Sequence, residues 1–315
     1  MPGPEPLEDS RQEARQDVAL PRGVLYPARL PTFDRLTAPD LVAQLVRWFW
    51  IPEWQIQPGR SSRQHLIAFP ACNLVVEPDA VSLSGPTTRS SYRDLTGTGW
   101  AVGALLRPAA VPHFVADPAA VRDTDRKMDL PVLHQLVSDA MTGPGDRQTR
   151  QRRAVDAFTT WLAGEVPPPG HEALLANTMA TAIDSDPMIR TVKDAAVRLR
   201  ASPRSLQRLA HRYVGLSPST MIRRRRLQEA AERLRTEPDT TLATVAADLG
   251  YSDHAHLANE FRSVLGLTLS TYRQQVVADP DADPVGEAEP TGHAPGGDAS
   301  WTPTSDSMSP LGAVR

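Results

Sequence analysis

Sulfur chemistry is almost absent from this chain. One cysteine, Cys72, stands in 315 residues, so no internal disulfide can form and no cysteine-based zinc site can be built. A lone thiol fits a reducing setting, and the expected localisation is cytoplasmic. Long apolar runs are missing as well: nothing approaches the ~20 residues that a bilayer-spanning helix needs. The opening stretch MPGPEPLEDSRQEARQD is polar and mixed in charge, unlike a secretory signal. There is no glycine-rich phosphate loop, nucleophile elbow or paired-carboxylate signature, and His65 and His113 stand apart from any ligand cluster. These absences lead us to expect no catalytic residue, no metal and no cofactor.

The charge that is present is unevenly placed. The net charge of −3 conceals a segment, residues 186–276, with 15 Lys/Arg against 9 Asp/Glu, a balance of +6. Residues 277–315 carry one Arg and seven acids, −6, which leaves −3 for residues 1–185. A basic segment inside a mildly acidic chain is the electrostatic footprint of a nucleic-acid-binding domain.

Composition divides the chain further. Residues 1–20 are polar without periodicity and read as disordered, as does the Pro/Gly/Asp/Ser/Thr-rich tail 277–315. Residues 21–128 read as a mostly-β regulatory domain, a small barrel or curled sheet, with one early helix over 38–49. Strands are expected over 65–69, 73–77, 80–84, 90–95 and 100–106, with a tight hairpin at 95–100. Residues 129–185 read as a helical linker with helices over 132–141, 148–162 and 172–183. The fold class expected is therefore α+β followed by an all-α domain over 186–276.

That last domain contains a repeat. Ala196, Leu199 and Ser202 recur fifty positions later as Ala246, Leu249 and Ser252; Leu206, Gly215, Leu216, Ser219 and Thr220 recur fifty-one later as Leu257, Gly266, Leu267, Ser270 and Thr271. The one-residue slip falls in a turn between helical patterns, so each copy reads as one helix-turn-helix unit. Ser202-Pro203 and Ser217-Pro218 place a capping hydroxyl before a proline at the first helical position, and Asp253 takes the capping role in the second copy. Gly215 and Gly266 supply left-handed stops. In the first reading helix, 203–214, Leu206, Leu209, Ala210 and Tyr213 form the core stripe, and Arg204, Gln207, Arg208 and His211 lie opposite. Arg can bond guanine bidentately and Gln can bond adenine, although the same face read alone is equally a solvated basic surface. In the second, 254–265, Leu257, Phe261 and Val264 point inward. Ala255, Asn259 and Arg262 point away, with Asn259 suited to adenine and Ala255 to a thymine methyl. His254 and His256 do not share a helix face, which argues against a metal site. The connecting helix, 217–235, carries Arg223, Arg224, Arg225 and Arg226. One or two of these should meet phosphate, and the others should be solvated or paired with Glu229 and Glu232. Ser202, Arg223 and Arg262 are the phosphate contacts expected.

Residues 186–276 resemble the DNA-binding domain of the AraC/XylS family of bacterial transcription regulators. The resemblance is carried by Ala246-Ala-Asp-Leu-Gly-Tyr-Ser-Asp253, His256-Leu-Ala-Asn-Glu-Phe-Arg262, Gly266 and Tyr272-Arg273, together with Ser202-Pro-Arg-Ser-Leu-Gln-Arg208 and Gly215-Leu-Ser-Pro218. It implies two units entering successive major-groove segments, with base readers at Arg204, Gln207 and Arg208 and at His254, Ala255 and Asn259. Two positions depart from the family: Arg200 replaces a frequent glycine, which predicts a looser turn, and Leu269 replaces a proline, which predicts a weaker cap. Leu25-Tyr-Pro-Ala, Trp48-Phe-Trp50, Phe69-to-Val76 and Val102-to-Pro108 resemble a sensor-like domain found ahead of such readers.

The function expected is a sequence-specific transcription regulator whose partners are operator DNA, a small-molecule effector, RNA polymerase and a second copy of the chain as a homodimer, with no membrane. Trp48, Trp50 and Trp100 are either an apolar effector pocket or core residues. Cys72 is either a sensor or a plain buried thiol. Two rival readings stay open: an enzyme or repair protein with an accessory DNA domain and Cys72 as its nucleophile, and a non-specific nucleoid protein.

Overall fold

The computed structural model describes residues 33–66, 70–88, 91–237, 239–266 and 268–278. The N-terminal stretch 1–20, the Leu25 segment, residues 67–69 and the tail beyond 278 lie outside the described residues. Among the described residues nine strands precede most of the helices: β1 Phe33–Thr37, β2 Val46–Gln55, β3 Ser61–Leu66, β4 Asn73–Glu77, β5 Ala80–Ser84, β6 Ser91–Thr96, β7 Thr98–Trp100, β8 Val102–Leu106 and β9 Asp125–Met128. A seven-stranded sheet runs β1-β2-β8-β4-β5-β9, with β7 pairing β2; β3 and β6 form a separate ribbon. All the pairings are antiparallel.

The alternation in β5 buries Val81 and Leu83 and leaves its other residues half-exposed, the period of a sheet with one face inward. β8 sits mid-sheet and is buried throughout. Phe49, Ile51, Leu74, Val76, Val102 and Leu106 supply the inner face of the core. Helices α2 Pro131–Thr142 and α3 Arg147–Glu165 cover that face with Leu133, Val137, Met141, Phe158 and Leu162. Phe158 meets Phe49 edge to face at 5.4 Å. Asp146 caps α3 by accepting from the Thr149 amide at 2.8 Å. Gln151, buried in α3, donates to Asp34 and Glu53 at 2.9 Å each, and so ties the helix to β1 and β2.

Two local expectations fail for identifiable reasons. Residues 38–49 do not form a helix: Asp40–Val42 is a single 3-10 turn and β2 begins at Val46. The spacing of Leu41, Val42, Leu45, Val46 and Phe49 suits either structure, but Leu41 is exposed, and ladders to β1 and β8 recruit the bulky Trp48-Phe-Trp-Ile51 run. Nor is 95–100 a hairpin. Gly97, at φ +56°, bends a continuous ribbon, so that β6 pairs with β3 while β7 pairs with β2.

The expected linker divides between two cores. α2 and α3 belong to the sheet. Helix α4, His171–Ser185, instead contributes Ala173, Ala176, Met179 and Ile183 to the core of the first repeat. That repeat comprises α5 Val192–Arg198, α6 Pro203–Tyr213 and the start of α7 Pro218–Thr236; the second comprises α8 Leu242–Asp248, α9 His254–Leu265 and α10 Leu269–Ala278. A short helix, α1 Val111–Phe114, follows β8. Among the described residues no helix is long and apolar enough to cross a membrane.

Candidate nucleic-acid interface

The two repeats are superposable in their chemistry of turns and caps. In the first, the Thr191 hydroxyl and the Asp194 carboxylate form a reciprocal capping box on α5. α5 closes with the Ala201 amide bonded to the Ala196 carbonyl at 3.0 Å; in the second, Tyr251 bonds Ala246 at 2.8 Å in the same way. Between them stand Arg200 at φ +49° and Gly250 at φ +74°. The looser turn expected from Arg200 is therefore not found: the chain adopts the left-handed stop with a side chain that disfavours it. Ser202 caps α6 through the Ser205 amide at 3.1 Å, and Asp253 caps α9 through the His256 amide at 2.8 Å. That bond holds the Asp253 carboxyl below the usual range. Thr268 caps α10 through the Thr271 amide at 3.0 Å, and Leu269, expected to weaken this cap, is buried. Gly215 and Gly266, at φ +77° and +71°, end the reading helices as expected.

On α6, Leu206, Leu209, Ala210 and Tyr213 are buried, while Arg204, Gln207, Arg208 and His211 are exposed. Ser202, Arg204, Ser205, Gln207 and Arg208 together line one shallow depression, so the first-unit residues expected to touch DNA share a surface. On α9, Leu257, Phe261, Val264 and Leu265 face inward, and His254, Ala255, His256, Asn259 and Arg262 are exposed. His256 accepts or donates through Nδ1 to the Ser252 hydroxyl at 3.2 Å and sets its ring edge-on to Tyr251. Among the described residues no group of three His, Cys, Asp or Glu is placed to hold a metal.

The four arginines of α7 depart from expectation. Arg225 does pair with Glu229, at 3.0 Å, but it is buried and also donates to the Ile189 carbonyl at 3.0 Å. Arg224 is 3% exposed, and burial lowers its pKa to about 10. Arg226 lies 3.8 Å over the Tyr251 ring. Arg223 is exposed, 3.5 Å from Glu260, which also accepts from the Tyr251 hydroxyl at 2.7 Å. Three of the four thus brace the packing around α7, and Arg223 is the one presented outward.

Glu172, in the first turn of α4, escaped the sequence reading. It accepts from Arg212 at 2.8 Å and from the Tyr213 hydroxyl at 3.3 Å, and stands 3.8 Å from Arg208. No local pattern marks it, because its partners are forty residues away and it lies in a stretch that reads as linker.

In the β domain Trp48, Trp50 and Trp100 each have their own neighbours. Trp48 lies between the guanidinium groups of Arg35 and Arg47, at 4.3 and 4.5 Å. Trp50 stacks on Phe33, donates to Asn73 at 3.0 Å and rests on Gly103, where a Cβ would come within 2.0 Å of its ring. Trp100 packs against the sheet core. A cavity of about 50 Å³ lies elsewhere, between the sheet and α4, α6 and α7, lined by residues that include Cys72, Leu106, Arg107, Asp184 and Met221. It holds a few waters at most, far short of the ~300 Å³ of a ligand pocket. Cys72 is 1% exposed, and burial pushes its thiol up to about 12.

Residues 195–275 match a model for a helix-turn-helix domain, and residues 34–126 match a model for a domain of unknown function, DUF6597. An AraC-like transcription regulator of Streptomyces lividans is 33% identical over 123 residues, 39% of this chain and 38% of that protein. The chain is thus similar, over part of its length, to AraC-like transcription regulators. The regulatory protein PocR of Salmonella typhimurium is 29% identical to this chain over 85 residues, 27% of this chain and 28% of PocR. The chain thus spans well under half the length of these curated relatives. Two ToxT structures from Vibrio cholerae align at 9% identity, with TM-scores of 0.40 over 72% of this chain and 97% of that one, and 0.37 over 78% and 97%. The likeness to AraC-type regulators lies in the partial sequence matches.

Proposed function

We propose that the protein is a sequence-specific transcription regulator that reads two adjacent major-groove segments with α6 and α9. The observation that carries this reading is the exposed set on α6: two guanidinium groups and an amide on the face opposite the core, all lining one depression. Arg204, Gln207 and Arg208 read bases in the first segment, and His254, Ala255 and Asn259 in the second; Ser202, Arg223 and Arg262 contact phosphate. The first unit supplies most of the discrimination, because Arg and Gln offer bidentate contacts where Ala255 offers a methyl. An effector or partner acting on the β domain shifts the population competent for DNA, and RNA polymerase is the partner downstream. Val132 and Leu136, exposed one turn apart on α2, give a second copy of the chain an apolar strip to pair on.

An enzyme built on Cys72 is disfavoured, since a buried thiol with a raised pKa supplies little thiolate. A non-specific nucleoid protein would bind DNA nearly independently of sequence. Genome-wide capture of bound DNA separates the readings. Discrete sites are expected, and Arg208→Ala should cost about 1–3 kcal/mol and relax one base position, with a smaller loss for Asn259→Ala. Uniform coverage, or a loss with Arg208→Ala that is equal for all sequences, would sink the assignment of base reading to α6.

A further inference from the structure

We propose that the segment Asp117–Thr124 is a coupling element, beside the α4 contacts of Asn177 with Ala109 and Gln44, through which the β domain sets the position of the first helix-turn-helix unit, with the second unit following less directly. One end of the segment is fixed to the sheet. Val121 is buried in the sheet core, and Gly85, at the end of β5, lies so close that a Cβ there would come within 1.7 Å of the Val121 carbonyl oxygen. The Gly85 amide donates to the Thr124 carbonyl at 3.0 Å, and the Asp123 amide to the Pro86 carbonyl at 3.1 Å. The Thr88 hydroxyl donates to the Asp123 carboxylate at 2.6 Å, which holds Asp123 at φ +58°, a conformation that a non-glycine residue needs support to keep.

The other end is fixed to the turn that ends α6. A Cβ on Gly215 would come within 2.6 Å of the Pro118 carbonyl carbon and 2.7 Å of the Ala119 nitrogen, so the two backbones are in contact. Arg122 donates to the Gly215 carbonyl at 2.9 Å, and Asp123 is the acid that favours the charge of the buried Arg224 on α7. The second unit is built differently: its core is drawn entirely from residues 227–272. A displacement at Gly85–Thr88 therefore reaches the α6–α7 turn through one short, doubly anchored piece of backbone, and reaches α9 less directly, through α7 and through Arg190, which donates to the Asp248 carbonyl at 3.1 Å.

The consequence for DNA rests on α6 being a reading helix, but the coupling can be tested without DNA. Amide hydrogen exchange is measured on the full chain, on Arg122→Ala and on Thr88→Val, the second of which alters no residue of either unit. In each, residues 203–217 should exchange roughly fivefold faster, the effect of losing one hydrogen bond of about 1 kcal/mol, while 254–265 keep their wild-type rates. Thr88→Val decides alone if Arg122→Ala does not fold. Unchanged exchange over 203–217 in a folded variant overturns the proposal. Equal acceleration over 254–265 also overturns it, because it marks general loosening rather than a directed path. If the capture experiment fails while this pattern holds, the coupling stands and only the DNA reading falls.

Discussion

The two helix-turn-helix units share their caps, their left-handed stops and their core stripes, yet they are held in the molecule by different means. The first completes its core with α4 and abuts the β domain at Gly215. The second completes its core with α7 and α10 alone. Their exposed faces differ in parallel: Arg204, Gln207 and Arg208 on one, Ala255 and Asn259 on the other. The unit with the richer exposed set of Arg and Gln is the one whose end turn packs against the β domain. A repeat conserves what each copy needs in order to fold, and its differences mark where each copy meets something else.

The glycine after each reading helix gives the sharpest test of that contrast. Both need a positive φ, so replacement by alanine carries a conformational cost of about 1 kcal/mol at either. At Gly215 the added methyl also meets the Pro118 backbone at 2.6 Å, and overpacking of this kind adds roughly 1–3 kcal/mol. Urea unfolding should therefore show Gly215→Ala as the more destabilised by about that margin over Gly266→Ala. Equal midpoints would mean that the Gly215 turn can move away from the β domain freely, and the contrast between the units would lose its structural basis.

Much of this arrangement was legible beforehand, where a residue states its own constraint. Ser-Pro before α6 and α7, Asp253 before α9 and glycine after α6 and α9 located these helices to within a residue or two, because caps and stops are local chemistry. Strands β4 and β5 were legible for the same reason, bounded by Pro78-Asp79 and by Gly85. What failed was non-local. The run 38–49 carries a spacing that suits a helix, and only its partners in β1 and β8 decide otherwise. The α7 arginines read as a charged surface because no sequence pattern announces Tyr251, Ile189 or Asp123 as their neighbours.

Arg200 offers a smaller test, on the turns rather than the anchors. It holds in the first unit the left-handed position that Gly250 holds in the second. A side chain in that conformation costs roughly 1–2 kcal/mol, and glycine gives back about 0.5–1 through the unfolded chain, so Arg200→Gly should stabilise the protein by about 0.5 kcal/mol. The shift is read as a raised urea midpoint at unchanged slope. A lowered midpoint would show that the Arg200 side chain makes a contribution that outweighs its strained backbone.

The smallest effect separates the caps themselves. Ser202 does not titrate, whereas Asp253 caps α9 with a carboxylate whose pKa is lowered, chiefly by the hydrogen bond from the His256 amide. A carboxyl with a lowered folded-state pKa adds stability that is complete above its unfolded value, about 3.9, and that is lost as pH falls through the folded value. Asp186 and Asp194, beside the first unit's α5, have lowered pKa values as well, so acid unfolding of the wild type alone cannot isolate this cap. The comparison that does isolate it is Asp253→Ser, which gives α9 the cap that α6 already has. Serine and aspartate cap about equally well when aspartate is charged, so the two proteins should unfold at nearly the same urea concentration at pH 7. Below pH ~4 the wild type loses its cap and the variant does not, so the variant should become the more stable of the two. Parallel curves down to pH ~3 would mean that the protonated carboxyl still holds the His256 amide, and that the caps of the two reading helices are equivalent after all.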